Sequence, residues 1–218
     1  HAEGCQVDTD KIAVVSGNGT NVIVRVGTIG IDETTITFGS NQIPGTGPDI
    51  NTYCSISKLD TNKIVVAWRD SVASHGVARV GTITGTDIAW GATSTFYAAT
   101  AAFELTTCAI STDKFLVGWD GGRLRVGTAS GTTLSWGTQV TTTTSGGYFQ
   151  SALIDTNKVA VSYQSSFNVY CTVCTISGTT ITQGTQKLIW HNVKLIDSYG
   201  MGKLATNKML FVWDEDAP

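Results

Sequence analysis

Five times along the chain a lysine is followed by a short apolar run. The runs are IAVV after Lys11, IVVAW after Lys63, FLVGW after Lys114, VAVSY after Lys158 and MLFVW after Lys208. Each is too short for a helix and rich in branched and aromatic residues, which predicts a strand buried on both faces. The clearest copy lies between Ser111 and Thr138. There Lys114 to Trp119 predicts one strand, Gly121-Gly122 a two-residue hairpin turn, and Leu124 to Thr128 the return strand. Ser130 to Thr133 forms a second turn, and Leu134 to Trp136 a shorter strand. Cys108 to Ile110 supplies a strand upstream.

The same order recurs. Thr-Asn/Asp-Lys precedes each apolar run, at Thr9, Thr61, Thr112, Thr156 and Thr206. Four copies continue to Val26-Gly27-Thr28, Val80-Gly81-Thr82, Val126-Gly127-Thr128 and Val173-Cys174-Thr175. These lead to ITFG, IAWG, LSWG and ITQG, which end at Gly39, Gly91, Gly137 and Gly184. Units of about 40–50 residues with four short strands are the signature of a propeller blade. The expected fold is therefore all-β, a single β-propeller over residues 1–218. It has five units of up to four antiparallel strands, at about 5–39, 54–91, 107–137, 150–184 and 199–214. The fifth is incomplete, and His1 to Gly4 read as a tail. A blade sandwiched between two others explains why its second strand has no polar face.

Three finer expectations follow. Six residues before each lysine stand Cys5, Ser57, Cys108, Ala152 and Gly202, all small, as an innermost strand crowded at the axis requires. The acids of the repeated turn, Asp8, Asp10, Asp60, Asp113 and Asp155, are expected to accept local backbone hydrogen bonds. Arg25, Arg79 and Arg125 recur two residues before the Gly of Val-Gly-Thr. Counting back from a two-residue turn sets Arg125 opposite Gly118, and an ion pair between blades is the expected use.

Composition narrows the function. Charged residues make up 14% of the chain and the net charge is −3. No block of like charge offers a nucleic-acid footprint, and no apolar run approaches the ~18 residues of a membrane span. The polar positions are mainly Thr, Ser, Gly and Asn, which favours an extracellular or surface setting. Five cysteines cannot all pair within the chain. Cys171 and Cys174 would face opposite sides of one strand, which argues against a bridge or a metal site. No catalytic or cofactor motif is present, and neither cofactor nor metal is expected.

One pattern points to a ligand. The second strand ends in Trp68-Arg69-Asp70, Trp119-Asp120, Tyr163-Gln164 and Trp213-Asp214. An aromatic and a hydrogen-bonding group thus recur at one rim. The longer hairpin Ser71 to Gly76, with His75, lies there too, as do crossovers carrying Phe96, Tyr97, Tyr148, Trp190 and His191. An aromatic face under sugar C–H groups, with carboxylate or amide bonds to hydroxyls, is how proteins hold glycans. The candidate ligand-binding residues are Trp68, Asp70, His75, Trp119, Asp120, Tyr163, Trp213 and Asp214. The competing reading packs the aromatics between blades and uses the acids to close hairpins.

The pattern D-T-N-K-x-x-V-x-W … V-G-T-x-x-G-T-x-I-x-W-G, best seen from Leu59 to Gly91, resembles β-propeller repeats of environmental bacterial and phage proteins. That resemblance implies a five-bladed, lectin-like architecture and favours glycan binding, without assigning residues. Neither the Gly-His/Trp-Asp pair of WD40 repeats nor the Asp-box of sialidases is present. A non-catalytic recognition module for surface glycans leads the functional readings. A propeller glycoside hydrolase or lyase, and a structural domain of a larger surface protein, stay open. Self-association through the open edge of the fifth unit is a further expectation.

Overall fold

The computed structural model describes residues 2–46, 53–70, 72–99, 103–142, 146–191, 199–205 and 208–213. No helix occurs among them. Unit 1 comprises β1 (Ala2–Asp8), β2 (Lys11–Gly17), β3 (Asn21–Ile29), β4 (Ile36–Phe38) and β5 (Gln42–Thr46). Unit 2 comprises β6 (Cys54–Asp60), β7 (Lys63–Asp70), β8 (His75–Thr84), β9 (Asp87–Trp90) and β10 (Ser94–Tyr97). Unit 3 comprises β11 (Thr106–Ala109), β12 (Lys114–Trp119), β13 (Arg123–Ser130), β14 (Thr133–Trp136) and β15 (Val140–Thr141). Unit 4 comprises β16 (Gly147–Asp155), β17 (Lys158–Ser165), β18 (Asn168–Ser177), β19 (Thr180–Gln183) and β20 (Lys187–Trp190). Unit 5 pairs β21 (Tyr199–Ala205) with β22 (Lys208–Trp213). The fold is a β-propeller of five antiparallel units.

Each first strand packs against the first strand of the next unit, from β1 through β6, β11 and β16 to β21. These strands line the axis. Cys5, Ser57, Cys108, Ala152 and Gly202 occupy equivalent ladder positions on them, opposite Ala13, Val65, Leu116, Ala160 and Leu210. Hydroxyls fasten neighbouring inner strands. Ser57 Oγ donates to the Thr107 carbonyl at 2.9 Å, Ser55 Oγ and Thr107 Oγ1 lie 2.9 Å apart, and Thr106 Oγ1 meets Ser151 Oγ at 2.7 Å. At the first seam the Ile56 N–H donates to the Glu3 carboxylate at 3.2 Å. Burial there pushes the Glu3 carboxyl up to about 7.

The second strands show why their sequences are apolar throughout. Ile64, Val66 and Trp68 of β7 join a core cluster with Val22, Val24 and Val26 of unit 1. Val65 and Ala67, on the opposite face, join Phe115, Val117 and Trp119 of unit 3. Alternate residues thus serve two interfaces, and each fully buried Val, Ile or Leu contributes about 1.5–3 kcal/mol. In unit 5, Met209 and Phe211 pack toward unit 4, while Leu210 and Val212 are exposed.

The repeated turn also has a shared fastening. The N–H groups of Ile29, Ile83, Ala129 and Ile176 donate to the carbonyls of Asp10, Asn62, Asp113 and Asn157 at 2.7–2.8 Å. Asn62 and Asn157 take φ of 57° and 55°, a left-handed geometry that Asn tolerates. Asp8, Asp60 and Asp155 each accept the next residue's N–H at 2.8 Å, as the sequence predicts, whereas Asp10 accepts Lys11 Nζ at 3.1 Å and Asp113 accepts Ser111 Oγ at 2.6 Å.

Three details depart from the sequence reading. Ala2 to Gly4 belong to β1 instead of forming a tail. Units 1–4 carry five strands, because the outer strand is split: β14 pairs with Gly127–Ser130 of β13, and β15 with Arg123–Leu124. The split occurs at Gly39, Gly91 and Gly137, where a Cβ would strike Thr86, Thr132 or Thr179 of the next unit's β-turn. The unit 3 hairpin holds three residues, since Trp119 pairs with Arg123 and leaves Asp120, Gly121 and Gly122 in the loop. Arg125 therefore lies opposite Val117, not Gly118.

Candidate functional site

Among the described residues the recurrent arginines do not form the expected ion pairs. Arg25 Nε donates to the Gly39 carbonyl at 3.2 Å and Arg125 Nε to that of Gly137 at 2.7 Å. Thr172 Oγ1, which replaces the arginine in unit 4, donates to the Gly184 carbonyl at 2.9 Å. Arg79 reaches the Pro44 carbonyl, and Arg125 that of Phe96, each in the preceding crossover. The split outer strand leaves carbonyls for the guanidinium to satisfy, so these residues are structural.

The rim of second-to-third-strand hairpins places the predicted ligand residues as follows. Trp68, Trp119 and Tyr163 are fully buried core side chains. Trp119 packs against Phe96 and Tyr97, with ring centroids 5.1 and 5.3 Å apart, and Tyr163 stacks on Phe149 at 5.6 Å. Their faces are consumed between and within units, so a sugar cannot use them; the packing reading wins at these positions. Asp70 Oδ1 accepts the N–H groups of Val72 and Ala73 at 3.0 and 3.3 Å and closes its own hairpin. His75 pairs with Asp70 in the ladder. Asp120 Oδ1 accepts the Phe103 N–H at 2.9 Å, and its other oxygen stands 3.7 Å from Arg123. Trp213 ends β22, and Asp214 and Ser71 lie outside the described residues.

Aromatic residues of the crossovers are also largely engaged. Phe96 is buried. Phe103 meets Tyr53 edge-on at 4.9 Å and lies under the Arg69 guanidinium at 4.5 Å. Arg123 covers Tyr97 at 5.2 Å. Among the described residues, the exposed aromatics of this rim cluster on unit 4. Phe167, at the β17–β18 tip, is 60% exposed, and Trp190, opposite Val169 in the ladder, is 41% exposed.

At that tip opens a cavity of about 300 Å³, lined by Gly146, Gly147, Tyr148, Gln164, Ser165, Ser166 and Phe167. That volume is at the lower end of small-molecule sites. Gln164 is 6% exposed, and its Oε1 is buried without a hydrogen-bond donor. Such an atom costs free energy until a donor reaches it. Tyr148, Ser166 and Phe167 all have left-handed φ, at 54°, 48° and 64°. At Ser166 and Phe167 this is turn chemistry: Ser165 pairs with Asn168, and the two-residue hairpin between them requires positive φ at both loop positions.

The wall behind the cavity is acidic. Glu104 accepts the Tyr148 N–H, and a Cβ on Gly147 would collide with its carboxylate. Desolvation, with Asp120 nearby, raises the Glu104 carboxyl above the usual range. Gly121 of unit 3 donates to the Gly146 carbonyl at 3.0 Å, tying the cavity to the neighbouring unit. Gln164, Ser165, Ser166 and Phe167 were readable only as a departure: unit 4 replaces the Gly-Gly tip of unit 3 with Ser-Ser-Phe.

The five cysteines are free thiols. Burial pushes Cys5, Cys54, Cys108 and Cys174 up to about 12, and Cys171 to about 11. Among the described residues no three His, Cys, Asp or Glu groups gather as a metal would need.

No protein-family model and no curated protein matches the chain. Among solved structures it is similar to a point mutant of Aleuria aurantia lectin in complex with alpha-methyl-L-fucoside. The TM-score is 0.58 with 12% sequence identity, over 92% of this chain and 66% of that one. The chain thus spans about two thirds of the length of that lectin. At this identity the likeness concerns the fold.

Proposed function

We propose that this propeller is a recognition module for glycans and that the unit 4 cavity is its binding site. The observation that carries the reading is the pairing of an exposed aromatic, Phe167, with a buried amide oxygen that lacks a donor, Gln164 Oε1. A sugar ring supplies what both need: a C–H face for the phenyl ring and a hydroxyl for the amide. Fold likeness to a structure solved with a fucoside agrees with this reading. The nearby acids have other work. Glu104 holds the Tyr148 N–H, and Asp120 holds the Phe103 N–H and faces Arg123. Binding without bond cleavage is therefore the expected outcome. A glycan array combined with a reducing-sugar release assay tests it. Array binding without sugar release supports the module. Release would make the protein a glycosidase, and an array without hits would remove the glycan reading.

A further inference from the structure

We propose that the unit 4 cavity selects an uncharged sugar residue and rejects uronic and sialic acids. This rests on the glycan reading and names the class of sugar. Three observations converge on it. Gln164 lines the cavity and its Oε1 is an acceptor buried without a donor, so a ligand group that reaches it must donate. A hydroxyl or acetamido N–H meets that requirement; acidic sugars carry such donors as well, so the amide calls for a sugar and the discrimination against charge rests on the two observations that follow.

The second observation is the acidic wall. Glu104 stands directly behind Gly147 and Tyr148, and Asp120 lies close enough to influence it. A carboxylate on the ligand would stand on the other side of Gly147 and Tyr148 from the Glu104 carboxylate, and like charges repel.

The third is the uncharged lining, which consists of Gly, Tyr, Gln, Ser and Phe residues. A cation of this seam, Arg123, is already held: its NH1 donates to the Asp120 carbonyl at 2.8 Å, and its guanidinium covers Tyr97. Anion recognition normally employs such a fork directly. Here it is turned toward the protein.

Matched probes isolate the charge. Methyl glucoside and methyl galactoside differ from the methyl glycosides of glucuronic and galacturonic acid mainly at C6. Methyl N-acetylglucosaminide and a methyl sialoside extend the two classes. The full chain is titrated with each at neutral pH by isothermal calorimetry at millimolar ligand. The expected result is saturable binding of at least one neutral glycoside, with its acidic counterpart at least about tenfold weaker. Gln164→Leu should weaken the neutral ligand about tenfold, as expected where a site built around a hydrogen bond loses it. Its melting temperature should be kept or raised, because an unpaired polar atom is removed. Glu104→Gln, which can still accept the Tyr148 N–H, should narrow the gap between neutral and acidic probes. Acidic probes that bind as tightly as neutral ones overturn the selectivity while leaving glycan binding intact. A folded Gln164→Leu protein with unchanged affinity overturns the role of the amide. Binding of neither class overturns the glycan reading itself.

Discussion

Trp119 shows how one residue changes meaning between sequence and structure. In the sequence it stands beside Asp120 at a rim, as a sugar platform would. In the fold it is fully buried against Phe96 and Tyr97. Trp119→Ala should therefore cost about 3–5 kcal/mol of stability, as large core truncations do. Urea unfolding measures this, and a loss below about 1 kcal/mol would return Trp119 to the surface. The glycine of Val-Gly-Thr teaches a related lesson. Gly27, Gly81 and Gly127 pair with Phe38, Trp90 and Trp136, whereas Cys174 pairs with Gln183. A Cβ at Gly81 would lie 2.8 Å from the Trp90 ring and 2.5 Å from Ile88. Gly81→Ala should cost roughly 1–3 kcal/mol by overpacking, and adding Trp90→Gln should recover part of it. Equal melting temperatures for the wild type and Gly81→Ala would contradict that. The pattern was present in the sequence, but its cause needs the register. The same holds for Gln164: an unpaired amide oxygen is a property of its neighbours, which no residue letter reports.

Among the elements, the repeated strands were legible because periodicity and turn chemistry agreed. An apolar run after Thr-Asn/Asp-Lys can satisfy both faces only between two other sheets. The hairpin tips were less legible, since one residue in the loop changes every pairing after it. Asp120 joins the unit 3 loop because its carboxylate is bound to the Phe103 N–H, a contact 17 residues away. The splitting of the outer strand was equally hidden: at Gly39, Gly91 and Gly137 a threonine of the next unit stands where a Cβ would be, and at Gly184 the Val173 carbonyl of the same unit does. The unit 4 tip carries a prediction of its own. Ser166 has φ of 48°, where a side chain is disfavoured. Ser166→Gly should raise stability by roughly 1 kcal/mol or less once the added chain entropy is counted. It should weaken ligand binding, because the tip is then less fixed. Thermal unfolding alongside titration checks both, and a loss of stability would show that the strain is absent.

On the scale of the whole molecule, the inner seams make stability depend on pH. Glu3 titrates near 4.5 when free of its surroundings and at about 7 when buried beside unit 2. Between those values the folded state holds the extra proton. The stability contribution of Glu3 is therefore full below about pH 4.5 and falls as pH rises to about 7. A tenfold difference in proton affinity between the folded and unfolded chain corresponds to about 1.4 kcal/mol. Comparing wild type with Glu3→Gln removes the opposing slopes of other carboxylates. The variant should lose the decline over this window, and parallel curves would deny Glu3 that role. Trp68, Trp119 and Tyr163 of this rim are spent on packing, and the proposed site is the unit 4 tip, where Phe167 is exposed. Amide chemical-shift mapping of the labelled protein, titrated with the strongest neutral glycan found on the array, tests this most directly. The account predicts that the perturbed amides cluster at 146–148 and 164–167, with Trp190 beside them. Perturbations centred on the Thr-Asn/Asp-Lys turns, or on the 70–75 hairpin of unit 2, would contradict it.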